Sequence, residues 1–494
     1  MTDIASEKHN RKSDDGASFT HGHVKEIENQ ETPHFSAAAE RRLVWKIDLM
    51  ILPLMLLAYM LAFLDKQGLN TTAIMGIKEE LHLSGSDYSW SNAIFYFGYL
   101  FFSYPASILL VKFPLGKYLS TTFMIWAVIL ACHAATTNFA GLMVVRFLLG
   151  LFEASLSPGF SLITSLWYRT SEQPLRHGLW FLGNSISFII GNIISVGIWE
   201  IKSSLANWKW VFIIFGIITF VWGALMLWRL PDSPMTTKIL TEEERIIAIE
   251  RLKSNKAGYK SNKLNVGQIF EAFIDYKTWM LAIYVIGTCI PNGGLTAFSS
   301  QVLKGFGYST YRTLLLGMPP GAVMFAGVLL STAISSKFKN TRCIMSAIMT
   351  VISLVGCVLV YATKAIQPRY AGLNLVGLFS VGLPLTMSMI SSNVGGFTKR
   401  ATVSSIIFIC YCAGNIIGPQ LFFQDEAPKY QSGFLAMIIC LVVATIDILL
   451  LGVLLFWENK RRDRKAALSG VEERQDTELA DITDFQNKDF RYVF

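Results

Sequence analysis

The sequence predicts an all-α integral membrane protein with twelve transmembrane helices in two six-helix bundles. Of its 494 residues, 52% are hydrophobic and only 16% are charged, against about 25% charged in a soluble domain. Apolar runs of about 20 residues recur, each long enough to cross a hydrocarbon core of roughly 30 Å. They form two sets of six around a polar stretch of about 45 residues.

The polar head, residues 1–45, has no apolar core of a cleavable signal, so the first helix is expected to serve as the targeting signal. Six apolar runs follow at 47–74, 90–111, 118–138, 141–167, 178–200 and 209–229, giving a first bundle over 46–229. The linker, 230–277, opens with "LPDSP", whose prolines stop the sixth helix. In "LTEEERIIAIERLK", Thr241 and Glu244 make a capping box, and Ile246, Ile249 and Leu252 are expected to mark the buried face of a short amphipathic helix. That helix is expected to tie the halves together across the membrane surface. The second set lies at 278–300, 314–336, 343–363, 370–392, 401–422 and 433–457, a second bundle over 278–457. The tail, 458–494, is polar again, and head and tail are both expected to be largely disordered.

Charge sets the expected orientation. Arg41, Arg42, Lys112, Lys117, Arg169, Lys337, Lys399, Arg400 and the cluster "KRRDRK" fall on one side, few cations on the other. This is the positive-inside pattern, which places both termini in the cytosol. The net charge of +8 therefore concerns topology, and no nucleic-acid partner is expected. Seven cysteines lie within or beside apolar runs without framework or metal-site spacing, and are read as packing residues. The connections "KFPLGK" (112–117) and "KFKNTR" (337–342) share K-F-x-x-x-[KR] at equivalent places. Two parallel repeats with solute between them fit this.

Ionisable side chains at membrane depth cost at least about 2.5 kcal/mol, so they are functional candidates. Four stand out: Asp65, Lys66, Arg146 and Glu153. Arg146 and Glu153, seven apart, share one helix face, and a rise of about 1.5 Å per residue puts Asp65 between them in depth. The expectation is a water-accessible pocket at mid-bilayer in which Arg146 and Lys66 bind an anion and Asp65 and Glu153 carry protons. A carboxylate that protonates in the empty pocket, and releases when an anion binds nearby, would couple the two fluxes. The alternatives are that the four form ion pairs fixing helix packing, or that Asp65 and Lys66 sit at the outer interface.

The stretches "RFLLGLFEASLSPG" (146–159), "NVGGFTKR" (393–400), "GNIIGPQLF" (414–422), "LPDSP" and "FRYVF" resemble the fungal allantoate permease branch of the anion:cation symporters, within the major facilitator superfamily. The resemblance covers nearly all of the membrane portion. It implies the major facilitator fold, and roles in proton coupling and anion binding for Asp65, Lys66, Arg146 and Glu153. The loop after the second helix departs from the superfamily's acidic G-x-x-x-D-R-x-G-R-R pattern, and Lys66 stands where the family's sugar-acid and organic-anion symporters carry Arg.

Further candidates are weaker. "IPNGGL" (290–295) is expected to interrupt the seventh helix, either breaking it so that Asn292 turns to the solute or simply kinking it. Asn184, Asn393, Asn415 and Gln420 are read as helix-packing amides, and Asn393 and Asn415, which fall in the stretches that carry the resemblance, are also substrate-binding candidates. Phe95, Tyr99, Trp180 and Phe298 are candidate cavity walls, and Lys399 and Arg400 are expected at lipid headgroups or a gate. No nucleotide loop, catalytic constellation, metal site or cofactor motif stands out, so no enzyme is expected.

The function these residues imply is proton-coupled import of a small organic anion by alternating access, at the plasma membrane, by a monomer in contact with lipid. An exporter of an acidic metabolite is the alternative. A non-transporting sensor fits less well, since only about 40 residues follow the last helix.

Overall fold

The computed structural model describes residues 36–169, 172–235, 237, 239–253, 265–469, 482–487 and 489–494. Among these the regular structure is helical, with no strand. The chain divides into two compact units after Lys46. The described part of the first is helical from Ala37 onward. The second, Ile47 to Phe494, carries the features that follow.

Among the described residues, twelve helices are long and apolar enough to cross a bilayer. First to twelfth, they are Ala37–Ala73, Asp87–Lys112, Leu115–Ala135, Phe139–Trp167, Leu175–Trp199, Asn207–Arg229, Tyr276–Lys304, Thr310–Lys337, Arg342–Ala362, Ile366–Asn393, Phe397–Gln420 and Gln431–Leu468. Side chains such as Phe101, Tyr104, Val221 and Leu330 stay exposed on their outer faces, where lipid is the natural solvent. Odd-numbered helices run from one face, here the terminal face, to the opposite, far face.

Glycines reveal the repeat. Gly183 of the fifth helix lies against the backbone of Leu56 to Met60 in the first, and Gly414 and Gly418 of the eleventh lie against Cys289 to Gly294 in the seventh. Gly98 and Gly150 let the second and fourth helices meet at backbone distance. Gly327 seats the eighth helix on Leu378 of the tenth. Lipid offers no hydrophobic drive for helix association, so close approach through small residues supplies the dispersion energy instead. The halves meet through the second helix on the eleventh and the fifth on the eighth. Those pairings exchange under the same repeat relation.

The seventh helix is not broken. It runs through Pro291 without interruption from Tyr276 to Lys304. Neighbouring helices make such a proline tolerable, and Gly293 and Gly294 serve packing: a Cβ on Gly293 would lie 2.7 Å from Asn415 O.

The capping box forms as read, with Glu244 N donating to Thr241 Oγ1 (3.2 Å) and Thr241 N to Glu244 Oε2 (2.9 Å). The buried face of helix Glu242–Lys253 differs from the expected one. Ile247, Ala248 and Arg251 are buried while Ile246 is exposed. The reason is Arg251, which reaches Glu172 (2.6 Å) and turns the helix onto the first half. A second helix, Val266–Ile274, was not expected. It buries Gln268 and Ala272 and leaves Val266, Phe270, Phe273 and Ile274 exposed, the arrangement of a helix lying in a membrane interface.

The largest departure is at the tail. The last helix continues to Ser469, and residues 482–487 and 489–494 fold back under the second half. Val493 exchanges two bonds with the Asn393 side chain (both 2.7 Å). Tyr492 N donates to Asn459 Oδ1 (2.9 Å), and Arg462 donates to the carbonyls of Asp484, Asn487 and Phe490. A polar composition suggested disorder, but these polar groups find their partners in the fold. Of the head expected to be disordered, 1–45, residues 37–45 are instead the start of the first helix, and residues 1–35 lie outside the described residues.

Candidate functional site

The first and fourth helices bring the four expected ionisable residues together inside the first half. Asp65, Arg146 and Glu153 are at most 2% exposed, and the Lys66 side chain reaches 11%. The Lys66 ammonium pairs with Glu153 Oε1. Phe95 of the second helix holds both cations against its ring, Lys66 Nζ at 5.4 Å and the Arg146 guanidinium at 5.3 Å from the centroid. Arg146 Nε donates to Ser91 O (3.1 Å). The first helix extends to Ala73, so Asp65 and Lys66 are not at an early helix end.

Several polar atoms in this cluster have no partner among the described residues: both Asp65 oxygens, Arg146 Nη1 and Glu153 Oε2. Two cations and two carboxylates sum to zero formal charge, with a single close ion pair among them. An ionised group buried without a donor or counter-charge costs several kcal/mol. The cluster therefore retains capacity for both an anion and a proton.

Aromatic side chains continue the site toward the second half. Tyr99 stacks on Phe408 (5.2 Å) and donates to Ser157 Oγ (3.4 Å), and Tyr96 meets Tyr411 edge-on (6.1 Å). Trp180 packs on Tyr59 (4.7 Å). Phe298 belongs instead to a far-face aromatic group with Tyr88 (5.3 Å), Phe422 (4.9 Å) and Tyr430 (5.3 Å).

An open pocket around Arg146 and Glu153 was expected. A cavity between the halves, toward the far face, is about 40 Å³ and is lined by neither. Its polar walls are Gln67, Asn70 and Thr71 of the first helix, Asn192 of the fifth and Ser299 and Ser300 of the seventh. None of these six was expected from the sequence. Gln67, Asn70 and Thr71, spaced i, i+3, i+4 directly after Asp65–Lys66, form a polar stripe that could have signalled it. Nor was Asp447 expected, midway along the twelfth helix, whose Oδ2 is buried without a partner among the described residues.

The pocket is small because the far face is closed. Asn70 Nδ2 donates to Ser299 Oγ (2.7 Å), and Ser300 N to Asn70 Oδ1 (3.1 Å). Tyr88 OH donates to Ala297 O (2.7 Å) and Ser89 Oγ to Pro419 O (2.9 Å). Lys78 reaches Gln301 Oε1 (2.9 Å) and Lys304 reaches Ile74 O (3.0 Å). All six bonds cross between the halves.

Other expected site residues are engaged elsewhere. Asn292 donates to Asn415 Oδ1 (2.7 Å), while Asn415 donates to Tyr411 O (2.8 Å) and is wholly buried. This pair joins the seventh and eleventh helices. Asn393 holds the tail through both amide atoms, the packing role that was its other reading. Lys399 does not meet lipid headgroups: it is wholly buried and pairs with Glu271 (2.8 Å), Asp275 (2.8 Å) and Asp484 (2.7 Å). Arg400 Nε donates to Val394 O (3.0 Å). Asn184 and Gln420 each keep one buried amide atom unpaired among the described residues.

Two repeated six-helix halves, closed on one face around a charged centre, define a membrane transporter of small solutes, and comparison gives its family. Residues 55–419 match the Major Facilitator Superfamily, to which the chain belongs. An uncharacterized transporter of Schizosaccharomyces pombe is 40% identical over 92% of this chain and 89% of its own length. The allantoate permease of Saccharomyces cerevisiae is 36% identical over 92% and 86%, and a thiamine pathway transporter of the same yeast 33% over 91% and 86%. These relatives place the chain in the fungal allantoate permease-like branch. Among solved structures, a bacterial homologue of human Spinster, inward-facing and occupied, matches with a TM-score of 0.59 at 15% identity, covering 81% of this chain and 96% of its own. The Escherichia coli fucose:proton symporter matches with a TM-score of 0.56 at 16% identity, covering 81% and 98%. The chain is a multi-pass membrane protein and not an enzyme.

Proposed function

We propose that the protein imports a small organic anion together with a proton across the plasma membrane, with both termini in the cytosol. The observation that carries this is the Lys66–Glu153 pair, buried beside Arg146 and Asp65 in a cluster of zero formal charge. A solute carboxylate entering the cluster competes with Glu153 for Lys66 and finds a free donor in Arg146 Nη1. If Glu153 stays ionised, the buried site then holds an excess negative charge. If Glu153 takes a proton, neutrality returns and Lys66 passes to the solute. Proton and anion thus favour each other's binding, the reverse of the order read from sequence, and leave together when the site opens to the other side. Asp65, with two unpaired oxygens, is the second proton carrier. With the terminal face cytosolic, the six far-face bonds describe a state closed to the outside. A relative named allantoate permease supports an anionic solute, and a structural neighbour named a fucose:proton symporter supports this coupling.

The test is uptake of labelled allantoate and nicotinate into cells, with and without a proton uncoupler. Accumulation that collapses with the uncoupler is expected, and indifference to it refutes coupling. Glu153→Gln should abolish accumulation yet retain counterflow exchange, since a permanently neutral side chain always leaves Lys66 to the solute. Accumulation by this variant would remove Glu153 from the mechanism. Arg146→Ala should raise the KM steeply.

A further inference from the structure

We infer that the small cavity between the halves receives an uncharged, oxygen-bearing group of the transported anion, and that Gln67 is the residue that reads it. This rests on the organic-anion reading above and adds a second chemical requirement to the solute.

The cavity lies where the first, fifth, seventh, eighth and tenth helices converge, and none of its lining residues is ionisable. Gln67 is 7% exposed, and its Nε2 is buried without a partner among the described residues while its side chain lines the cavity. A buried amide donor left unpaired costs about 1–3 kcal/mol. Apolar side chains, Phe188, Leu295 and Met324, close the rest of the wall.

Three kinds of group could enter. A second charge would lose its hydration and find no counter-charge, at a cost of several kcal/mol. A plain alkyl group would fill the space and leave Gln67 Nε2 unpaired. A neutral oxygen, as in a hydroxyl or a carboxamide, accepts from Gln67 and leaves no charge behind. A volume of about 40 Å³ is room for two or three waters, which is one small substituent and not a ring. Gln67 follows Lys66 directly in the chain, and the first helix advances only about 1.5 Å per residue. The Gln67 side chain is turned about 100° around the helix from that of Lys66, so a solute held by both must bend around the first helix, its anionic end at Lys66 and its oxygen at Gln67.

The experiment compares succinamate with 4-methylpentanoate, which have the same shape and the same carboxylate but differ in the amide. Binding to purified full-length protein in nanodiscs is measured by calorimetry. The wild type should bind succinamate about tenfold more tightly, the effect of satisfying one buried donor. In Gln67→Leu that ratio should fall to within about twofold. Because Gln67 Nε2 has no partner to lose among the described residues and its unpaired burial is itself a cost, this variant should melt no lower than the wild type. Equal wild-type binding of both compounds, or an unchanged ratio in Gln67→Leu, overturns the inference and leaves the anion reading standing. Binding of neither overturns the anion reading and the inference with it. If Gln67→Leu does not fold, competition between the two compounds on the wild type decides the matter: preferential retention of succinamate supports the inference, and equal displacement overturns it.

Discussion

Asp484 carries the tail's attachment to the second half, and Asp484→Asn tests how much that attachment contributes. The wild-type carboxylate is wholly buried. It accepts from Lys277 Nζ (3.0 Å), Lys399 Nζ (2.7 Å), Tyr492 OH (2.9 Å) and Gly395 N (3.2 Å). Burial alone would raise its pKa, but Lys277 and Lys399 outweigh burial and hold it below the usual carboxylate value. Asparagine keeps the shape, removes the charge, and turns an amide donor toward groups that themselves donate. Asp275 and Glu271 remain to balance the two lysines, so no bare cation is left. The loss is then two charge-assisted bonds at about 1.5–3 kcal/mol each, or about 3–6 kcal/mol in all. For a body the size of one half, that corresponds to a drop of about 6–24 °C in melting temperature. Thermal unfolding of the purified protein followed by tryptophan fluorescence measures it. The pH dependence has a fixed sign: a depressed carboxylate stabilises above its unfolded pKa of about 3.9 and loses that contribution as pH falls through the folded value. The wild type should therefore lose more stability than the variant on acidification below about pH 4. A variant melting within about 1 °C of the wild type would refute this account of the tail.

Gly150→Ala places a methyl group against the carbonyl of Phe95, where backbone on both sides cannot yield. Overpacking of this kind costs about 1–3 kcal/mol or more, and the yield of monodisperse protein should fall sharply; an unchanged yield and melting temperature would show that the second and fourth helices separate easily. Asn70→Ala removes two bonds that cross between the halves, about 1–3 kcal/mol together. The population open at the far face should rise at least fivefold, seen as faster labelling of Leu295→Cys by an impermeant thiol reagent. An unchanged rate would exclude Asn70 from the gate.

Much of this protein was legible in one dimension. Lipid imposes its requirement locally, so twelve apolar runs became twelve helices. Charged residues at membrane depth are costly enough that Asp65, Lys66, Arg146 and Glu153 identified themselves from sequence alone. The capping box at Thr241 is equally local, since both partners lie within one turn. Partnership across the chain was not legible. Nothing near Glu153 in sequence says that it pairs with Lys66, 87 positions away. Nothing in "NVGGFTKR" says that Asn393 and Lys399 are occupied by residues about a hundred positions later. Asn292 was read as turned to the solute by a broken helix, and Asn415 as a packing amide or a solute contact; only the packing of the seventh helix on the eleventh showed that the two bond each other. Composition fixed where the chain meets lipid because hydrophobic cost adds up residue by residue; which polar group satisfies which depends on helix approach, and that was decided by tertiary structure alone.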